Sequence, residues 1–310
     1  VTLGQIIQRS ENPRLVYELR PRLDVRFANG HLTTSDAGYR GGDAVIPKPV
    51  GRYRIVGIGD SYMFGQGVSD EETYLSRLPA AFTAITAIDA GRRIDTVNLA
   101  APGYNTVMEV ESLKERWAAL DGDLILIEIV GNDLDLPNFL WKTVDPWTLR
   151  RSFLLDFVRQ RLSPVVRDEN NVAGLSEAPL SSSAGHETFS RDAEHVPPEY
   201  ASMVGLASFE TALRDLARFA VDRKVPVLAV THGVWFEADM LRALDTNHIP
   251  VLVLRSALRR RAKALGAPDY PRSPLATSPN DLHPSAAGHL AIADELAEWI
   301  PHNVVLGSSH

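Results

Sequence analysis

Five short runs in which β-branched and leucine side chains follow one another with few polar breaks punctuate the chain: Arg54 to Ile58, Ile94 to Leu99, Leu124 to Val130, Val225 to Val230 and Val251 to Leu254. Each reads as a strand buried on both faces. Between them the period changes. Leu206, Phe209, Leu213, Leu216 and Ala220 recur at helical spacing and fall on one face of a 3.6-residue helix. Strands that alternate with helices pair in parallel through right-handed crossovers, which leaves a sheet covered by helices on both sides. The pattern therefore predicts an α/β chain, a three-layer α/β/α sandwich around a five-stranded parallel sheet. In such sheets the working residues gather beyond the carboxyl ends of the strands.

Two regions break the rhythm. Residues 1–50 carry few regular periods and many turn formers, such as Asp36-Ala37-Gly38 and Gly41-Gly42-Asp43, and read as an extension wrapping a core domain over 51–305. Within that domain, an insertion at about 134–204 has an aromatic half (Phe139, Trp141, Trp147, Phe153, Phe157) and a polar half that includes Ser181-Ser182-Ser183. Long segments after a strand end are usually functional. This one reads either as a cap over a site, with a mobile serine stretch, or as a surface subdomain that touches no substrate. Residues 306–310, with Gly307-Ser308-Ser309-His310, look like a tag remnant and are set aside.

Composition narrows the function. The 310 residues are 45% hydrophobic and 23% charged, enough to bury a full core. A formal net charge of -7 argues against a nucleic-acid partner, whose phosphates need lysine and arginine. The local run Arg255, Arg259, Arg260, Arg261 and Lys263 reads as a solvated helix face rather than an anion site. Cysteine is absent, which excludes disulfides, a thiolate nucleophile and a sulfur-based zinc cage, and leaves the redox compartment unread. No apolar run approaches the roughly 20 residues of a membrane span. Because the sequence starts at Val1, a secreted or membrane-anchored extracytoplasmic location is favoured over the cytoplasm if a leader precedes it.

Candidate chemistry sits at the strand ends. The first strand runs into Gly57-Ile58-Gly59-Asp60-Ser61-Tyr62-Met63-Phe64-Gly65, which sets a serine just past the rim of the sheet, where a nucleophile belongs. A dinucleotide-binding G-x-G-x-x-G fails at Tyr62, and a G-x-S-x-G elbow fails at Met63. Asp60 and Ser61 also suit a plain helix cap. Near the other end, Asn280-Asp281-Leu282-His283-Pro284 leads into an apolar period through Leu290, Ala293, Leu296 and Ile300. Pro284 fits a first helical turn, so His283 is expected at the start of that helix with Asp281 near enough to orient its ring. Gly103, in the turn after the second strand, can present a bare N–H, and Asn132 after the third offers a side-chain amide. Donors of this kind stabilise the oxyanion of acyl transfer. His283 and His289 stand six apart, with no H-E-x-x-H, so no metal is expected; His232, just after the fourth strand, lies at the active rim by topology and reads as structural, with lining the pocket as the alternative.

In chain order these blocks, Gly59-Asp60-Ser61, Gly103, Gly131-Asn132-Asp133 and Asp281-Leu282-His283-Pro284, resemble the SGNH hydrolase superfamily of GDSL-type esterases and lipases. The resemblance spans roughly 54–133 and 225–300. It implies a flavodoxin-like fold and a serine hydrolase that cleaves carboxylic esters, with short acyl or acetyl groups, on a small molecule or carbohydrate, and without a cofactor. Ser61 would be nucleophile and first oxyanion donor, Gly103 and Asn132 the other donors, and His283 the base. The family's acid usually stands three residues before the histidine, where this chain has Asn280; Asp281, two before, is the expected acid, with a backbone carbonyl as the alternative. The same residues suit an O-acyltransferase, and an inactive binding protein of the same fold is a third possibility.

Overall fold

In the computed structural model, residues 1–85, 93–141, 175–177, 191–233 and 238–304 are described. The five hydrophobic runs form one parallel sheet: β1 (Arg52–Ile58), β2 (Arg93–Asn98), β3 (Leu124–Glu128), β4 (Val227–Thr231) and β5 (Val251–Val253). Across the sheet the strands lie in the order β5-β4-β3-β1-β2. This is the doubly wound arrangement of flavodoxin-like folds, whose crevice opens where β1 and β3 lie side by side and their connections run to opposite faces. The register sets Ile55 beside Leu124 and Ile58 beside Ile127, so the ends of β1 and β3 finish level with each other.

Helices close both faces. One layer holds α2 (Tyr74–Ile85) packed on α7 (Ala286–Asn303), which also meets α6 (Arg255–Ala264). The other holds α3 (Thr106–Leu120) against α4 (Gly205–Arg223), with α5 (Ala238–Thr246) beside α4. In α4 the predicted stripe is what is buried: Phe209, Leu213, Leu216 and Ala220 face inward, joined by Ala212 and Phe219. No helix among the described residues is long and apolar enough to cross a membrane. Of the basic run, Arg255, Arg259, Arg260 and Lys263 are exposed, while Arg261 reaches across to Asp294 at 3.0 Å and Glu295 at 3.2 Å on α7.

The first 50 residues hold more regular structure than their turn-rich sequence predicts. Ile7–Arg9 pairs antiparallel with Tyr17–Leu19, and Asp24–Phe27 with Gly30–Thr33. Strands of three or four residues are too short to show a period, so they escape a reading by pattern. Their side chains belong to the core: Ile6, Ile7, Leu15, Val16 and Tyr17 are fully buried. From the insertion, Phe139–Trp141 pairs antiparallel with Leu175–Glu177, and the Tyr200 hydroxyl accepts from the Trp141 N–H at 2.7 Å. Trp147, Phe153, Phe157, Ser181-Ser182-Ser183 and residues 306–310 lie outside the described residues.

Candidate active site

Ser61 opens α1 (Ser61–Phe64), a single turn directly beyond β1. Gly59 is required there by proximity: a Cβ would stand 2.9 Å from both the Glu128 and the Met63 Cβ atoms. The Asp60 side chain caps the turn by accepting from the Tyr62 N–H at 2.9 Å. Glu128, at the end of β3, accepts from the Met63 N–H. The Phe64 N–H goes to the Asp60 carbonyl at 2.9 Å. Among the described residues the Ser61 N–H alone has no acceptor in this turn, so it is available to a ligand.

Against the expectation of a helical start, Asp281 and His283 lie on a strand. Asp281–Pro284 pairs antiparallel with Ala276–Ser278, and α7 begins only at Ala286, capped by the Ser285 hydroxyl, which accepts from Gly288 N at 3.2 Å. A serine cap outcompetes the proline as the helix start because it satisfies an otherwise orphaned N–H. The strand holds the imidazole rigidly. His283 Nε2 is 2.8 Å from Ser61 Oγ, and its Nδ1 is 2.5 Å from Asp281 Oδ1, which also accepts the His283 N–H at 3.1 Å. Asp281 folds back on its own histidine, which is how an acid two residues away, rather than three, reaches the ring. Hydroxyl, imidazole and carboxylate stand in a line that suits removal of the Ser61 proton and stabilisation of the imidazolium formed.

Asn132 lies in the 3-10 turn Gly131–Leu134 beyond β3, solvent-exposed, its Nδ2 donating to Asp60 Oδ2 at 3.0 Å; the Ser61 hydroxyl is 3.2 Å from the same oxygen. Gly103 sits in the turn after β2 with φ +75, a left-handed conformation suited to glycine, and a Cβ there would meet the Asn138 side chain at 2.2 Å. That turn is tied to β1 by Ala101 N–H to Gly59 O at 3.2 Å, and to the N-terminal extension by the Tyr17 hydroxyl, which donates to Pro102 O at 2.9 Å. Asn138, which stands four residues beyond the start of the 134–204 segment, thus borders the Gly103 turn.

Several residues here give no sequence signal of function beyond the place of His232 at the rim of the sheet. Arg40, 5% exposed, reaches from the N-terminal extension to the far end of α1: its guanidinium donates to the carbonyls of Phe64, Gly65 at 2.8 Å and Val68 at 2.6 Å, and to Asp70 Oδ1 at 2.8 Å. Tyr62 is wedged between two imidazoles, with ring centroids 4.7 Å from His232 and 4.7 Å from His283. His232 is buried, its Nε2 2.7 Å from Glu128 Oε1, and burial pushes its pKa down to about 4. Burial, and after it the Asp60 charge, pushes the Glu128 carboxyl well above the usual carboxylate range. A lone Glu in a strand and a lone His after one are read by default as packing, so only proximity reveals this group.

A family model described as "GDSL-like Lipase/Acylhydrolase family" matches residues 58–291. Among solved structures the chain is similar to LAE5, an alpha/beta hydrolase enzyme from the metagenome of Lake Arreo (19% identity, 79% of this chain and 94% of that one, TM-score 0.40). It is also similar to the psychrotrophic esterase EstA from Pseudoalteromonas sp. (12%, 80% and 97%, 0.45) and to Axe2, an acetyl xylan esterase from Geobacillus stearothermophilus (17%, 82% and 97%, 0.43). No curated protein matches it.

Proposed function

Since this chain belongs to the GDSL-like lipase/acylhydrolase family and is a hydrolase acting on esters, we propose that it cleaves short-chain carboxylic esters, among them acetyl groups on carbohydrate, through an acyl-enzyme on Ser61. His283 Nε2 takes the hydroxyl proton as Ser61 Oγ bonds to the ester carbonyl carbon. Asp281 holds the ring in the tautomer that accepts this proton and faces the positive charge that results. The carbonyl oxygen, now an oxyanion, receives the Ser61 and Gly103 N–H groups and the Asn132 amide, donors worth roughly 3 to 4 kcal/mol each when preorganised. His283 returns the proton to the leaving alcohol as the C–O bond breaks, then deprotonates the water that releases the acid.

The observation that carries this reading is the placement of one imidazole between the Ser61 hydroxyl, at 2.8 Å, and the Asp281 carboxylate, at 2.5 Å. The Asn138 side chain lodged against Gly103 narrows the space beside the oxyanion turn, which supports a small acyl group. The test is a panel of p-nitrophenyl esters of rising chain length and acetylated oligosaccharides, run on the wild type and Ser61→Ala. Turnover of acetyl and butyryl esters that vanishes in Ser61→Ala supports the proposal. Equal turnover of long-chain esters refutes the short-acyl part, activity surviving Ser61→Ala refutes the acyl-enzyme, and acetate appearing on a sugar acceptor rather than in solution reassigns the reaction to acyl transfer.

A further inference from the structure

Beneath the serine lies a buried polar group that the reaction just described does not use. Glu128, His232 and Tyr74 are 0%, 3% and 0% exposed, at the ends of β3 and β4 and at the start of α2. They meet at the Glu128 carboxyl: Oε1 is 3.2 Å from the Tyr74 hydroxyl and 2.7 Å from His232 Nε2, and Oε2 takes the Met63 N–H. An ionisable side chain buried this deeply is costly unless its hydrogen bonds are satisfied, and three partners satisfy this one. The other nitrogen of His232, Nδ1, is buried and has no hydrogen-bond partner among the described residues. Its ring contributes otherwise by packing at a tilt against Tyr62, which also packs against the His283 ring.

The α1 turn explains what the group is for. A four-residue turn makes few bonds of its own, so its orientation is set from outside. Asp60 takes the Tyr62 N–H and Glu128 takes the Met63 N–H, and with both occupied the remaining donor is that of Ser61. We infer that Glu128 is a positioning residue for the nucleophile, its carboxyl, oriented by His232 and Tyr74, fixing the Met63 backbone so that the Ser61 hydroxyl and N–H meet the ester together. The inference rests on the assignment of Ser61 as nucleophile. Both partners are shifted by burial toward their uncharged forms, a carboxyl donating to an imidazole. Glutamine reproduces that pair: its amide oxygen accepts from Met63 and its NH2 donates to His232 Nε2. Methionine reproduces neither bond.

The test compares wild type, Ser61→Ala, E128Q and E128M by steady-state kinetics on p-nitrophenyl acetate and by the rate at which a p-nitrophenyl phosphonate labels Ser61, both per folded molecule. In E128M, kcat and the labelling rate are expected to fall together by about 10²-fold, with KM changing little, because a misaimed nucleophile loses rate more than binding. E128Q is expected to recover most of that loss. Normal labelling per folded E128M molecule, or E128Q no better than E128M, overturns the inference. Should E128M not fold, the double variant Y74F/H232L, which leaves Glu128 unoriented, replaces it; wild-type kcat in that variant is likewise fatal. A failure of the underlying assignment looks different, since wild type and Ser61→Ala would then hydrolyse the ester alike.

Discussion

The side-chain amide of Asn132 donates to Asp60 Oδ2 at 3.0 Å, so the group proposed to receive the oxyanion is held at rest by the residue beside the nucleophile. Asp60 serves two ends of the site at once, because its other oxygen caps the α1 turn. Asn132→Ala removes only the donor and, being a change at an exposed position, is expected to lower kcat by about 10²- to 10³-fold with little loss of stability. Asp60→Ala removes cap and anchor together, and is expected to cost about 1 kcal/mol of stability in denaturant titration as well as rate. If Asn132→Ala is fully active, the amide plays no part in the reaction.

Asp281 contacts the His283 ring and backbone with the same oxygen, Oδ1. Asp281→Asn keeps the shape but offers an amide that favours the wrong tautomer, and kcat is expected to drop by on the order of 10⁴-fold. Steady-state kinetics with p-nitrophenyl acetate checks this. A loss below tenfold would return the orienting role to another group.

Gly103 and Asn138 are coupled sterically. Gly103→Ala carries two penalties, a left-handed backbone worth about 1 to 2 kcal/mol and a Cβ in the space of the Asn138 side chain. Removing that side chain relieves only the second. A double-mutant cycle with Asn138→Ala, read by thermal and chemical denaturation, is therefore expected to give Gly103→Ala a smaller cost in the Asn138→Ala background, with a coupling of roughly 0.5 kcal/mol or more.

Arg40 is a buried cation whose partners are the carbonyls of Phe64 and Gly65 at the end of α1, that of Val68 in the loop beyond it, and Asp70. Replacing it with methionine strands those acceptors without water, which is expected to destabilise the fold by about 3 to 5 kcal/mol. Burial lowers the Arg40 pKa, with Asp70 acting in the opposite direction. Lysine, a point charge without the guanidinium fork, is expected to recover only part of the loss. Urea midpoints for the two variants measure both effects.

His232 gives stability a pH dependence of known sign. Its pKa is lowered by burial to about 4, below that of an unfolded histidine, so between these values the unfolded chain binds the extra proton. The contribution is intact at neutral pH and declines as the pH falls. His232→Gln lacks this titration, so the stability advantage of wild type over the variant is expected to shrink by up to about 3 kcal/mol between pH 7 and pH 4. Comparing the two proteins at each pH cancels the opposing contributions of the buried carboxyls Glu109 and Asp133, whose pKa values are raised by burial and which stand outside the His232–Glu128 hydrogen bond. An advantage that stays constant with pH would rule out the burial effect.

The parts of the fold legible in advance share one property: their signal is local. The runs at 54–58 and 124–130 announce strands because every residue in them is apolar or flanked by apolar residues, and the stripe from Phe209 to Ala220 announces a helix by its period. Serine, glycine, asparagine and histidine stand beside strand ends or ahead of a helix, so their neighbourhood points to the rim of the sheet. The extension before residue 50 is different. Tyr17 and Arg40 sit in segments too short to carry a period, and each finds its partner, Pro102 or Phe64, far along the chain. Pro284 misleads for a related reason: alone it fits a first helical turn, but pairing with Ala276 draws it into a strand.

By itself, then, the sequence determined the five strands of the parallel sheet, the helices that carry a clear apolar stripe, and the order in which reactive residue types arrive at the sheet's edge, because hydrophobic period and turn chemistry act between near neighbours. Tertiary structure alone decided that His283 reaches Ser61 across 222 positions, that Asp281 rather than a carbonyl meets the imidazole, and that Glu128, Tyr74 and His232 gather under the serine. Hydrogen bonds are made or lost over tenths of an ångström, and distances of that size depend on how every strand and helix packs at once.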